Sequence, residues 1–555
     1  MRDTIRSMLR MSPLLASLAF PLPAYRSPLA AQQLTPATRV ARAADADVIR
    51  GHLTYLADDA LEGRAPGTRG GDLAAKYVAA QFARLGLLPA GDDSTYFHRV
   101  PIISLDPAPQ ASIVTSGNEW PLEYRKDYVM WSMHDDSLVS TGGDLVFVGY
   151  GIIAPEYGWN DYAGVDVKGK VVVALVNTPG IRDSTLFRGK YMTYYGRWTY
   201  KIEEAERQGA AGIVMVHTPE TATYGWATVV GSWSGPQTRV ERKSGPLVVA
   251  GWLSQEASER LLQQQGGIEK AMAEASRKGF KAIPLGGRLG ATIRSQIERS
   301  ETANVIGRRP GRGPRANEVV MLGAHYDHLG FGPAVDGDSI YNGAEDNASG
   351  TAALLAAAEA FDRSGVITGR SIAFIAFAAE ESGLLGSTAY AARPTIPLAN
   401  IAAVLNMDVM NMYGRTRDIA ALGVDQSTLG RLFTAAAAAE NLKVVVSEEA
   451  LIQGSFFRSD HFPLVRVGVP ALSLESGRDY VGKPKGWGGE QSKEYEEKRY
   501  HQPSDQLLPW FSYDGTLQQL RVILRTTVAA ANATSQPVWV AGSEFREAGE
   551  KRRAK

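Results

Sequence analysis

Three strand-like stretches in the second half of this chain each stop at a residue able to hold a metal ion. Glu318 to Ala324 reads as a strand ending at His325, Ser371 to Ala379 as one ending at Glu380, and Ala402 to Met407 as one ending at Asp408. Between the first two lies Ala348 to Phe361, alanine-rich and easily helical. Strands alternating with helices over residues 300–535 imply an α/β fold, a mostly parallel mixed sheet flanked by helices. Ligands of open α/β sheets bind beyond the carboxyl ends of the strands. Local patterning alone therefore gathers His325, Glu380 and Asp408 at one sheet edge.

The neighbouring residues extend the set. Asp327 follows His325 by two positions, on the same side of an extended chain, where it would hold the other ring nitrogen and fix the tautomer. His328 reads as a pocket-wall or supporting group. Asp346 sits in Gly343-Ala344-Glu345-Asp346-Asn347-Ala348-Ser349-Gly350, just before a helix; it is either an N-cap or a carboxylate bridging two cations. Glu380 and Glu381 are adjacent like charges after the apolar run Ile372 to Phe377, which a division of labour resolves: one ligates metal, the other carries a proton. Ser459-Asp460-His461 precedes a strand at Pro470 to Leu474. Each residue alone has an ordinary structural alternative, but the ordered set favours a metal site. With no cysteine in the chain, imidazole and carboxylate ligands suit catalytic zinc, cobalt or manganese rather than a zinc finger.

Other chemistries lack their motifs. There is no His-Glu-x-x-His helix, no Gly-x-Ser-x-Gly elbow and no Gly-x-x-x-x-Gly-Lys-Ser/Thr loop, and a cysteine nucleophile is impossible. Lys+Arg and Asp+Glu balance at 59 each, so no overall field would gather nucleic acid. Arg2, Arg6 and Arg10, the small apolar run Met11 to Ala24 and Pro28-Leu29-Ala30-Ala31 read as an export signal over residues 1–31, giving a periplasmic or secreted protein. No transmembrane segment is expected in the mature chain. Residues from about 45 to 90 look helical, with apolar periodicity at Val48 to Leu61 and Asp72 to Leu85, whereas about 100–290 is β-rich. His134 and His217 there are isolated and read as packing or surface residues. Residues 536–555 form a C-terminal tail whose charged stretch, Phe545 to Lys555, is expected to fray.

At Gly323-to-Gly330, Gly343-to-Gly350, Ala378-to-Ser387, Asn406-to-Asp408 and Ser459-to-His461 the chain resembles the co-catalytic zinc exopeptidases, a family of secreted bacterial aminopeptidases that includes glutamate carboxypeptidase. The resemblance implies two zinc ions per chain, with cobalt or manganese as substitutes. His325 and Asp408 would bind one, Glu381 and His461 the other, and Asp346 both. It implies Glu380 as the general base acting on a metal-bridging hydroxide, Asp327 as the partner of His325, and Tyr500 or His501, in Tyr500-His501-Gln502-Pro503-Ser504-Asp505, beside the oxyanion. The region 111–290 resembles a protease-associated domain inserted between peptidase parts 45–110 and 300–535, at Gly149-Tyr150-Gly151, Asp161-Tyr162 and Gly209-Ala210-Ala211-Gly212-Ile213. The implied activity is aminopeptidase on peptide substrates. The alternative is a glutamate carboxypeptidase-like carboxypeptidase or dipeptidase, with Arg458 or Arg478 taking the substrate carboxylate.

Overall fold

Strand Val319–His325 lies between Ser371–Phe377 and Ile401–Asn406, parallel to both, with Leu322 beside Phe374 on one side and Leu405 on the other. Ala471–Glu475 continues the parallel order next to Ile401–Asn406. These relations come from a computed structural model that describes residues 34–554 apart from 116 and 243; the expected export signal lies outside the described residues. All residues of the first three strands are buried, which is why they read as continuous apolar runs rather than alternating ones. Val320, Leu322, Phe374 and Leu405 face a core shared with helices Ser349–Ser364 and Tyr513–Asn532. Met321, Ile375 and Val404 face the opposite core, with Phe462, Leu464 and Val465 of helix His461–Arg466.

The sheet does not stop at these strands. Strand Ile283–Arg309 pairs antiparallel with Ser371–Phe377 through Val305 to Arg309, then runs on to pair with Phe97–Thr115 and Leu138–Phe147. Beyond it lie the parallel strands Val171–Leu175, Gly212–Val216 and Val249–Leu253, so one 16-stranded sheet runs through the protein. The middle region has its own apolar clusters, one around Phe147, Val173 and Val214 and another around Val172, Ile213 and Trp252. Residues 111 and 290 fall within one long ribbon, where Ala111 pairs with Ala291 and Ser112 with Gly290. The middle region also reaches the carboxyl-terminal one: Met192 N–H donates to the Leu451 carbonyl at 3.0 Å.

Two local expectations are corrected. Helix Arg69–Arg84 starts before Asp72, because Thr68 caps it and Gly70 and Gly71 let its first turn sit on the Leu61 and Ala65 carbonyls. The charged tail is not frayed: Arg546–Arg553 is a helix, and the buried Arg552 donates to the carbonyls of Gly468 at 3.1 Å and Ile401 at 2.7 Å. Charge alternation hid that docking, since one arginine of the tail carries it.

Arg64 ties the amino-terminal region to the strand ends. Its side chain is fully buried, and its guanidinium donates to the carbonyls of Tyr326 (2.7 Å), Gly343 (2.9 Å), Leu56 and Asn342. It thereby joins the loop after His325 to the loop before Asp346. Leaving several buried carbonyls without donors costs about 1–3 kcal/mol each. Arg64→Met is therefore expected to lower unfolding free energy by about 3 kcal/mol or more, read by denaturant titration. Arg64→Lys should recover little of that loss, because an ammonium cannot reproduce the planar fork. Unchanged stability in both variants would contradict the role.

Candidate metal centre

His325 closes its strand with the ring turned into the sheet edge. Thr351 Oγ1 donates to its carbonyl at 2.7 Å, so helix Ser349–Ser364 fixes the strand end. Its Nε2 lies 3.2 Å from Asp408 Oδ1 and 3.3 Å from Asp346 Oδ1. Asp346 turns its other oxygen, Oδ2, to His501 Nε2 at 3.4 Å, and that same nitrogen is 3.0 Å from Glu381 Oε2. One carboxylate thus lies between two imidazoles. Ligand-type atoms fall into two groups, each with its atoms within 4.8 Å of one another: His325 with Glu380 and Asp408, and His328 with Asp346 and Glu381.

The backbone around Asp346 is tightly packed. The Asp346–Asn347 peptide is cis, and Gly343, at φ +55°, sits so close that a Cβ would meet the Asp346 carbonyl oxygen at 2.2 Å and His328 Cγ at 2.4 Å. Asp505 accepts the Glu345 and Asp346 N–H groups on its two carboxylate oxygens, at 2.9 and 3.1 Å. Asn347 accepts from Val409 N at 3.2 Å and donates to the Met407 carbonyl at 3.0 Å, bracketing Asp408. Asp408 also accepts from Ser459 Oγ at 2.6 Å.

Asp327 plays a different part from the simple partner of His325. Its carboxylate is 3.7 Å from His325 Nδ1, whose closer neighbour, at 3.2 Å, is the Asp327 carbonyl oxygen. The carboxylate instead accepts the N–H groups of Glu380 and Glu381, at 3.1 and 3.3 Å, and so sets both glutamates. His328 donates or accepts through Nδ1 at 2.6 Å from Glu381 Oε1. Tyr500, 45% exposed, stacks on His501 with ring centroids 3.9 Å apart.

His461 does not join the other candidates. It opens helix His461–Arg466 among Phe462, Pro463, Leu464 and Val465, packs its ring edge against Phe456, and neither ring nitrogen has a hydrogen-bond partner. Burial pushes its imidazole down to about 3. The imidazole that faces Asp346 and Glu381 is His501. A histidine opening an apolar stretch was the signal for packing, and a histidine in the polar segment Tyr500 to Asp505 the signal for the site. Sequence reasoning also missed Asp505 and the ion pair of Arg499 Nε with Glu345 Oε1 at 3.2 Å, which clamps the His501 segment to the Asp346 loop.

Negative charge is in excess here. Burial raises Glu380 well above the ordinary carboxylate range, Asp327 to about 6, Asp460 to about 8 and Glu475 to about 7. Burial opposes the charge of Asp346 too, but hydrogen bonding to His325 and His501 holds it low. A buried set of carboxylates with too few cations, interleaved with imidazoles, fits divalent metal of the borderline class. A cavity of 530 Å³ opens on Asp346, Glu380, Glu381, Asp408 and Tyr500.

Comparison with known proteins agrees with the region concerned. Residues 304–525 match the model for peptidase family M28. Leupeptin-inactivating enzyme 1 of Streptomyces exfoliatus is 32% identical over 208 residues, 37% of this chain and 43% of that protein. Aminopeptidase YwaD of Bacillus subtilis (strain 168) is 26% identical over 364 residues, 64% of this chain and 62% of its own length. The chain thus spans less than two thirds of either relative. The solved aminopeptidase from Aneurinibacillus sp. strain AM-1 aligns over 90% of this chain and 97% of its own, at 18% identity and a TM-score of 0.44. The matched residues 304–525 contain His325, Asp346, Glu380, Glu381, Asp408 and His501, so the likeness to peptidase family M28 falls on the part of the chain that carries the site.

Proposed function

We propose that this protein is an exported zinc aminopeptidase that removes the N-terminal residue of peptides, with two metal ions held around Asp346. The observation that carries the reading is the Asp346 carboxylate lying between the His325 and His501 rings, with Asp408 and Glu381 on its two sides. His325 and Asp408 would hold one ion, His501 and Glu381 the other, and Asp346 both. Bound there, zinc supplies Lewis-acid polarisation of the scissile carbonyl and of the attacking water.

The residues of the chain do the rest. Glu380, oriented through its N–H by Asp327, takes a proton from the attacking water and passes it to the leaving amine. His328 steadies Glu381 at Oε1, the carboxylate oxygen that His501 does not contact. The Tyr500 hydroxyl, on a ring stacked on His501, donates to the oxygen that gains charge as the carbonyl becomes tetrahedral. Arg499, paired with Glu345, and Asp505, bonded to the Glu345 and Asp346 amides, keep the Tyr500–His501 segment in place. The middle region would serve as a protease-associated domain limiting access to chain ends. Export rests on the basic and small-residue pattern of residues 1–31.

Three results are expected. Glu380→Gln should keep fold and metal content but lose about 10²–10⁴ in turnover, the scale of a general base; full activity would refute the role. His501→Ala should lower bound zinc, measured by elemental analysis, whereas His461→Gln should keep it; the reverse pattern would restore His461 as the ligand. Chelator-sensitive cleavage of leucyl-peptides with a free amine, and none of their N-acetylated forms, supports the aminopeptidase. Cleavage of the blocked peptide would replace it with a carboxypeptidase or endopeptidase.

A further inference from the structure

Beyond the metal ligands the cavity has a polar wall. Gln453, Ser455, Ser473, Gln491 and Ser492 line it, and Glu475 lies among them. Glu475 ends strand Ala471–Glu475, two residues beyond Ser473, which stands beside Asn406 in the neighbouring strand and so close to Asp408. Its side chain is half-buried and also borders a second, apolar hollow around Leu422, Phe456 and Phe457. Among the described residues no side chain hydrogen-bonds or ion-pairs with its carboxylate.

That is an unusual position for a carboxylate. Withdrawing an ionised group from water without a partner is costly, and such groups are normally paired. Most other acids close to the metal centre have a role: Asp346, Glu381 and Asp408 face imidazoles, Asp327 and Asp505 accept backbone N–H groups, and Glu345 pairs with Arg499. Glu475 faces the cavity and the adjoining apolar hollow, and no side chain pairs with it. The cations on the same wall are less constrained: Arg458 and Arg478 are exposed, and Arg458 donates to the Gln453 carbonyl at 3.0 Å. Arg478 is near enough to moderate the Glu475 charge but makes no ion pair with it. Exposed charges are screened by water, whereas a half-buried one is screened much less.

Resting on the aminopeptidase reading, we infer that Glu475 selects the substrate's N-terminal side chain, forming a charge-assisted hydrogen bond with a lysine or arginine seated in the polar part of the cavity. The serine and glutamine side chains provide hydrogen bonds along the stem and head of such a residue, where leucine would leave them unsatisfied. A charge-assisted hydrogen bond of this kind discriminates by about tenfold or more.

The experiment pairs turnover with binding. The zinc-loaded enzyme and its Glu475→Gln variant are assayed on lysyl-, arginyl-, leucyl- and glutamyl-peptides, and affinities for lysine amide and leucine amide are measured by calorimetry. The wild type is expected to favour the basic substrates, and the variant to lose about tenfold or more of the lysyl-to-leucyl ratio in both kcat/KM and Kd. Thermal unfolding serves as the folding control, and the variant should melt no lower than wild type because no partner is lost. A leucyl or glutamyl preference in the wild type overturns the inference. So does an equal loss on all substrates, which would assign Glu475 to the common α-ammonium group. If no peptide is cleaved but lysine amide binds through Glu475, the selectivity stands and the aminopeptidase reading fails. Cleavage with an unchanged lysyl-to-leucyl ratio overturns the selectivity and leaves the aminopeptidase reading in place.

Discussion

The centre is governed by one electrostatic problem: more carboxylates are buried at the carboxyl edge of the parallel strands than the protein's own cations can balance. Asp346 is where the problem is most acute, since its two oxygens face different imidazoles, at 3.3 and 3.4 Å. In a site of low polarity such an arrangement is stabilised by added positive charge. Much of the surrounding structure serves to hold that carboxylate, and the acids beside it, against their mutual repulsion.

The holding is done mainly by main-chain hydrogen bonds. Asp505 takes two consecutive N–H groups at Glu345 and Asp346, and Asp327 does the same at Glu380 and Glu381. Each arrangement turns a loop into a fixed platform for the candidate side chains without using those side chains' own oxygens. Arg64 works in the opposite sense, supplying donors to carbonyls on both sides of the His325 and Asp346 loops. Close approach does the remainder. A Cβ on Gly350 would meet Asn347 Oδ1 at 2.3 Å and the Met407 carbonyl oxygen at 2.4 Å, so glycine there lets the helix start press against the Asp408 loop.

The sheet and most of the centre were legible because both follow from short-range pattern. Buried parallel strands appear as apolar runs, and their ends marked His325, Glu380 and Asp408 before any contact was known. His501 was not legible in that way, because it belongs to no strand and reaches the site on an irregular segment clamped by Arg499 and Asp505. His461 misleads for the converse reason: it lies ten residues before Ala471–Glu475, near a strand in sequence but packed in an aromatic cluster. The long ribbon through Ile283–Arg309 was hidden as well, since register over such a length is decided by pairing with Phe97–Thr115 rather than by local composition.

The most direct test of the metal centre is a crystal structure of the zinc-loaded protein with anomalous scattering measured on both sides of the zinc edge. Two peaks about 3.5–4 Å apart are expected, one on each side of Asp346. One should lie against His325 and Asp408, the other against Glu381 and His501. A lone peak, or a peak at His461 with none at His501, would contradict the assignment.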